Sequence, residues 1–426
     1  MGERHSTGFG LQFNRAVKLV ASDERLTSDA GLVVLREADH RLGLRESLTA
    51  KLHDPRDSGE VRYTLTELVR QRVYAMAAGC ESQDDLDRLA HDPAMKMAVW
   101  DRPGNRVIDE RLASQPTHSR LIDILAHHED NQEILREALA DWIHRHLRAA
   151  GRDHAVRRGT VDVDSFPVEV HGEQEGAEYN GHYQSTIYHP LAASFSVAGD
   201  YDSAREGSRM GNGFVHAELR MGHVHTSNGA LPFIEEVIRK ADSLAQVLDF
   251  RLDAGLAIGE VLDCLTDRKK RFIGRLKGNA VLDRLAEPHL RRPVGRPPRE
   301  GYEHLVELGK HRANDWRHAQ RVILVVVDRP DPITGQLNLL PDYFFLVHPA
   351  FAYPAATEAG PSSPIGPPLG LGRRGRPIHL TLASTPENAG RGPMRRRGGR
   401  GYREPLFSSL EIVVVKQVTQ TYARSG

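Results

Sequence analysis

TVDVDSFPVEVHG, residues 160–172, reads as a strand carrying carboxylates that a buried strand does not need. Val161 and Val163 alternate with Asp162 and Asp164, so period-two geometry sets both valines on one face and both aspartates on the other. Acidic side chains are almost never fully buried without a partner, and such a face calls for a neutralising cation. A divalent metal suits it; an exposed edge strand with solvated aspartates reads the stretch equally well.

Downstream, strand patterns are expected over 160–170, 191–197 and 213–221, with turn-forming Gly, Asp and Asn between them. A helix follows over 231–244, with Ile234, Val237 and Ile238 inside and Glu235, Glu236, Arg239 and Lys240 outside. A fourth strand, 247–252, runs into Asp253-Ala254-Gly255, and a second helix covers 258–265. Three strands, helix, strand, helix is the order of a ribonuclease H-like layered sheet. That topology can make neighbours of Asp164 and Asp253. Two such carboxylates can hold a pair of Mg²⁺ ions, one activating a water or a 3′-hydroxyl, the other stabilising the leaving oxygen of an in-line phosphoryl transfer. Taken alone, Asp253 reads as an ordinary loop aspartate after a strand.

Upstream, residues 1–27 read as an irregular or extended arm, and 28–150 as helical. Thr64-Leu65-Thr66-Glu67 is a capping box ahead of Leu68, Val69, Val73 and Met76 on one face. Asn131 is the expected cap of another amphipathic helix, whose Arg136, Glu137, Asp141, Arg145 and Arg148 form a solvated face. Residues 271–348 are strand-rich again and read as a β insertion after a core spanning 151–270. Within it, RRPVGRPPR (291–299) is a proline-stiffened basic loop; Arg291, Arg292, Arg296 and Arg299 suit a DNA phosphate backbone or minor groove, and a plain solvated loop fits as well. The fold class expected is therefore α+β or α/β: a helical N-terminal DNA-binding region (1–150), a ribonuclease H-like core, a β-rich insertion and an irregular tail (349–426).

In residues 350–426, Pro and Gly make up 20 of 77 positions, against 42 of the 349 before them, so no packed element is expected there. Charges balance over the whole chain at 57 basic and 57 acidic, so any nucleic-acid surface must be local. Two cysteines, Cys80 and Cys264, argue against a disulfide framework or a cysteine zinc site and suggest a reducing compartment. With no long apolar run, the chain is expected to be soluble and cytoplasmic, without membrane contact.

Several motifs in order resemble the DDE transposases of bacterial insertion sequences, most closely the family called thirteen-eighty. They are Asp162-Val163-Asp164-Ser165, Val170-His171-Gly172, the stretch from Gly176 to His182, Tyr188-His189-Pro190-Leu191 and Arg251-Leu252-Asp253-Ala254-Gly255. Ala78-Gly79-Cys80-Glu81, His91-Asp92-Pro93-Ala94 and the stretch from Leu112 to Arg120 are similar to its helical region. The resemblance implies a transposase with Asp164 and Asp253 as catalytic, metal-binding aspartates and Mg²⁺ or Mn²⁺ as cofactor. Its partners would be double-stranded DNA, both terminal inverted repeats and target, bound by a homodimer in the bacterial cytoplasm and nucleoid. Asp162 and His171 are assigned supporting roles, and His182 and His189 would contact DNA or brace the site. The family also carries a catalytic glutamate in a Tyr-x-x-Arg-x-x-x-Glu helix after the insertion. Here Glu358, Glu387, Glu404 and Glu411 all lack that spacing, so no third carboxylate is identified. A frameshift near residue 349 accounts for this and implies inactivity as written, with an apolar sheet face left uncovered. A non-catalytic transposon-end binding protein or inhibitor, or a ribonuclease H-like nuclease, are the competing readings.

Overall fold

The computed structural model describes residues 27–80, 82–101, 105–151, 156–170, 172–197, 213–292, 302–328, 336 and 340–351, with a short antiparallel pairing of Phe9–Gly10 and Lys18–Leu19. The chain forms two compact units, residues 1–41 with 56–121 and residues 42–55 with 122–426. The helical region expected over 1–150 is thus divided between them.

The first unit contains α1 (Gly31–Leu42) and is built around α2 (Leu65–Ala77). The capping box of α2 forms as the sequence predicts: Thr64 Oγ1 accepts the Glu67 amide at 3.2 Å, and a Glu67 carboxylate oxygen accepts the Thr64 amide at 2.9 Å. The helix is buried all round from Leu65 to Ala75 rather than along one face. This is possible because its polar residues are satisfied inside the unit: Arg70 reaches Asp39 on α1, and Gln71 donates to Ala113 O at 2.9 Å.

The second unit holds an eight-stranded sheet. Its strands are β1 (Arg158–Ser165), β2 (Leu191–Val197), β3 (Gly213–Glu218), β4 (Val247–Leu252), β5 (Arg271–Leu276), β6 (Tyr302–His311), β7 (Gln320–Asp328) and β8 (Asp342–His348). They lie in the order β6-β7-β8-β5-β4-β1-β2-β3. β1 to β3 pair antiparallel, and β4 and β5 run parallel to β1. The order β3-β2-β1-β4-β5 is the ribonuclease H-like arrangement. β5, which its sequence groups with the insertion, is the fifth strand of this core, and β6 to β8 extend the same sheet through the antiparallel β5–β8 pair.

Helices α3 (Ala230–Ala241) and α4 (Gly259–Asp267) close the βα crossovers and bury their apolar stripes on one sheet face. Phe233, Ile234 and Val237 of α3 and Val261, Leu262 and Leu265 of α4 share a core with Val161, Val163, Phe250, Phe272 and Phe345. Each such fully buried side chain contributes about 1.5–3 kcal/mol by leaving water. The alternation read in β1 is real, with Val161 and Val163 buried and Asp162 and Asp164 half-buried on the other side. On that second face Ile273, Val325 and Leu346 form a separate apolar cluster flanked by Ile323, Val327 and Phe344.

Two local expectations change. The strand expected over 160–170 is broken after Ser165, because Pro167 offers no N–H to a ladder; Val168–Glu169 joins a different, three-stranded sheet with Ser185–Tyr188 and Glu178–Asn180. Asn131 is not a cap. It lies inside the first turn of the helix Glu129–Ala149, where its carboxamide accepts the His53 amide at 2.7 Å and donates to the carbonyls of His53 and Ile124. Among the described residues no helix is long and apolar enough to cross a membrane. The tail beyond residue 351, with the four glutamates that lack the family spacing, lies outside the described residues.

Candidate active site

β1 and β4 run side by side with Val163 opposite Leu252, so the next residues along, Asp164 and Asp253, emerge at neighbouring strand ends. One step earlier in the register, Asp162 stands opposite Arg251 and takes both Nε and Nη2 of its guanidinium. Bidentate pairing neutralises the Asp162 carboxylate.

Asp164 and Asp253 are held differently. Asp164 Oδ1 accepts the Ser165 amide at 2.8 Å. Asp253 Oδ1 accepts the amides of Gly255 and Leu256 at 3.1 and 2.9 Å, an Asx-type turn that fixes the carboxylate as the chain leaves β4. Neither carboxylate has an ion-paired cation among the described residues. Burial, and then the Asp253 charge, push the Asp164 carboxyl up to about 7. Burial also raises Asp253, against the lowering effect of its two amides and of Lys277 and His225 nearby. Like-charged carboxylates crowded into a half-buried site are unfavourable until something positive joins them.

The chain that follows β3 forms the rest of the site. The strand expected to reach residue 221 ends at Glu218, because Arg220 turns in to organise the next loop. Its guanidinium donates to the carbonyls of His189, Thr226 and Asn228 at 3.0, 3.0 and 2.8 Å. Thr226 in turn shares a hydroxyl bond of 2.9 Å with Ser165, the neighbour of Asp164, and its side chain faces Gly255, where a Cβ would meet it at 2.9 Å. Gly222 lets the loop lie against the small sheet, since a side chain there would run into the carbonyl oxygens of Ile187 and Glu178.

Of the other residues singled out from sequence, His189 is buried, with Nδ1 at 2.8 Å from Val224 O, and so braces this loop. His182 is exposed at the hairpin turn. Arg291 is exposed, while Arg292 is held by a buried Asp328 through contacts of 2.6 and 3.1 Å. His171, Arg296 and Arg299 lie outside the described residues. Sequence reasoning missed Arg220, Thr226, His225 and Lys277, which single positions in loops and turns do not announce. Glu133, Glu137 and Glu236 also converge, but Arg136, Arg239 and Lys240 pair with them, so they form an ion-pair network.

A ribonuclease H-like sheet here brings two aspartates without an ion-paired cation to adjacent strand ends. Residues 9–333 match the family described as transposase DDE domain group 1, and the chain belongs to that family. Transposases of this kind generally use divalent metal ions, and the donor set agrees: hard carboxylate oxygens whose mutual repulsion a dication relieves. A cryo-EM structure titled piggyBac transposase synaptic complex with hairpin DNA is similar at 12% identity and a TM-score of 0.34, over 76% of this chain and 61% of that one. The chain thus spans about three fifths of the length of that relative. No curated protein matches.

Proposed function

We propose that this protein is a transposase of the thirteen-eighty group of bacterial insertion sequences, with Asp164 and Asp253 holding Mg²⁺ or Mn²⁺ for strand cleavage and transfer at the element's ends. The observation that carries this reading is the parallel register of β1 and β4, which brings the two carboxylates to adjacent strand ends with no cation of their own. A bound ion would polarise the scissile phosphate and activate its attacking hydroxyl. The protein's own part is to hold the two carboxylates still: the Ser165 amide fixes one, the Gly255 and Leu256 amides fix the other, and Arg251 keeps Asp162 out of competition. Its partners would be the terminal inverted repeats and target DNA, engaged by a homodimer in the bacterial cytoplasm, with Arg291, Arg292, Arg296 and Arg299 along the DNA.

The chain as written is read as inactive, because none of Glu358, Glu387, Glu404 and Glu411 has the family spacing of the third carboxylate. Translation of the encoding DNA beyond codon 349 in its other two frames is expected to give tyrosine, arginine, glutamate and lysine at the family spacing; neither frame doing so refutes the frameshift. Mg²⁺-dependent nicking of duplexes bearing the element's ends then separates the readings. The frame-restored chain should nick them, and the chain as written should bind without nicking. In the restored chain, Asp164→Asn or Asp253→Asn should cost several powers of ten in rate. Asp162→Asn should leave most of it. Equal cutting of DNA without the repeats would favour a nuclease, and binding alone by the restored chain would favour a non-catalytic end-binding protein.

A further inference from the structure

The sheet face that carries the two aspartates also carries Arg158, Arg251, Arg271, Arg275 and Arg321. All but Arg275 are held by carboxylates: Arg158 and Arg271 share the buried Asp249, Arg251 grips Asp162, and Arg321 reaches Glu307. Arg275 is exposed, with no ion pair or hydrogen bond among the described residues. Its guanidinium lies over the Phe344 ring, 5.1 Å from the centroid. A cation on an aromatic face is oriented without being neutralised, so this charge is left to act on something else.

Strand register places that charge beside the candidate site. Leu252 of β4 stands between Val163 of β1 and Gly274 of β5, so the next residues along, Asp164, Asp253 and Arg275, form a row across neighbouring parallel strands. With strands about 5 Å apart, the Arg275 backbone lies one spacing from Asp253 and about 10 Å from Asp164. Arg275 and Asp253 nonetheless do not pair. The Asp253 carboxylate is turned into its own loop by the Gly255 and Leu256 amides, while Arg275, opposite Leu346 of β8, leans over Phe344 on that strand. The guanidinium therefore stands off the carboxylates, on the β8 side of the row.

We propose that Arg275 binds a phosphodiester of the DNA strand flanking the one on which the Asp164–Asp253 centre acts, so that this strand crosses the sheet from β1 over β4 and β5 toward β8. The proposal rests on the two-aspartate reading given above for the position of the scissile phosphate. A dication answers the charge of the phosphate it holds, but each flanking phosphate carries a further charge that a fixed monocation suits. Arginine fits because its planar fork meets two phosphate oxygens at once, and Phe344 beneath it removes part of the side-chain freedom that binding would otherwise cost. The other arginines of the same face could do this only by abandoning a carboxylate, which for Asp249 is fully buried.

Two measurements on the full chain test this without requiring activity. In the first, a fluorescent duplex bearing the element's end is titrated in Ca²⁺ at several salt concentrations. Arg275→Gln should weaken binding about tenfold and lower the slope of log affinity against log salt by about 0.9, the size of one lost phosphate contact. Arg275→Lys should restore the slope, since it restores the charge. An unchanged slope in Arg275→Gln would overturn the proposal. In the second, Fe²⁺ with ascorbate and peroxide replaces Mg²⁺ and cuts bound DNA wherever the ion sits. The parent should confine its cuts to a few nucleotides, and Arg275→Gln, compared at saturating protein, should spread or lose them; the same pattern in both also counts against Arg275. Asp164→Asn should abolish the cuts and keep the parent slope. Cuts that persist in Asp164→Asn would sink the two-aspartate reading, and with it the placement of the strand, whatever the slope shows.

Discussion

Asp164→Asn is expected to stabilise the metal-free protein above about pH 8 by roughly 2–4 kcal/mol, while removing its response to divalent ions. The carboxyl ordinarily titrates at 3.8, and in the folded site burial and the Asp253 charge raise it to about 7. Between those two values the folded chain holds a proton that the unfolded chain has released. Stability therefore falls as pH rises through that window, and above about pH 7 the whole penalty is present. Solvent still reaches the group, which is why the lower part of the range is included. Asparagine has nearly the same shape, can still accept the Ser165 amide and carries no charge, so the penalty disappears.

Below about pH 4, where the folded carboxyl is protonated in any case, parent and variant should melt together. Adding Mg²⁺ at about pH 8 should raise the parent's melting temperature, since a ligand that binds only the folded state stabilises it. The variant should not respond. Thermal melts at the two pH values, each with and without Mg²⁺, check all of this. A variant less stable than the parent at high pH would mean that Asp164 is held by a cation and not by crowding.

The second large effect is expected in the helical unit. Arg70→Ala should cost about 3–5 kcal/mol and unfold that unit first. Arg70 is 2% exposed; its Nε donates to Asp39 at 2.8 Å, and its Nη1 donates to Asp101 at 2.7 Å and to Val99 O at 3.2 Å. Asp39 is equally buried and also accepts the Tyr74 hydroxyl. Removing the guanidinium leaves the buried Asp39 carboxylate with the Tyr74 hydroxyl and a longer, 3.6 Å contact to Arg36, and the loss comes mainly from that under-compensated charge. The double variant Arg70→Met with Asp39→Leu should recover most of it, because both charges leave together. Denaturant unfolding of parent, single and double variants gives the coupling directly. Equal losses in single and double variants would show that packing, not charge, dominates there.

Much of the second unit was legible in the residues. Strands 191–197 and 247–252 begin and end where the alternation and the flanking turn residues put them. The Thr64 capping box is equally local: four consecutive residues contain both of its hydrogen bonds. Asn131 misleads because an asparagine before an apolar stripe looks the same whether it caps its own helix or, as here, binds the backbone of His53, which is 78 positions away. The break after Ser165 is legible in Pro167, since a proline inside a strand pattern removes a ladder donor wherever it falls.

The site divides along the same line. Asp162 and Asp164 stand two residues apart, and nothing in that spacing says which one faces a cation. The sequence alone determined the elements, their order and the face on which the carboxylates lie, because strand period, caps and turns act over a few residues. Tertiary structure alone decided the rest: that Arg251 comes to lie opposite Asp162 and so neutralises it, that Asp253 arrives beside Asp164, and that Arg220 holds the loop whose Thr226 bonds Ser165. Those pairings depend on strand register and loop docking, which are set by the packing of the whole sheet and are written in no single stretch of the chain.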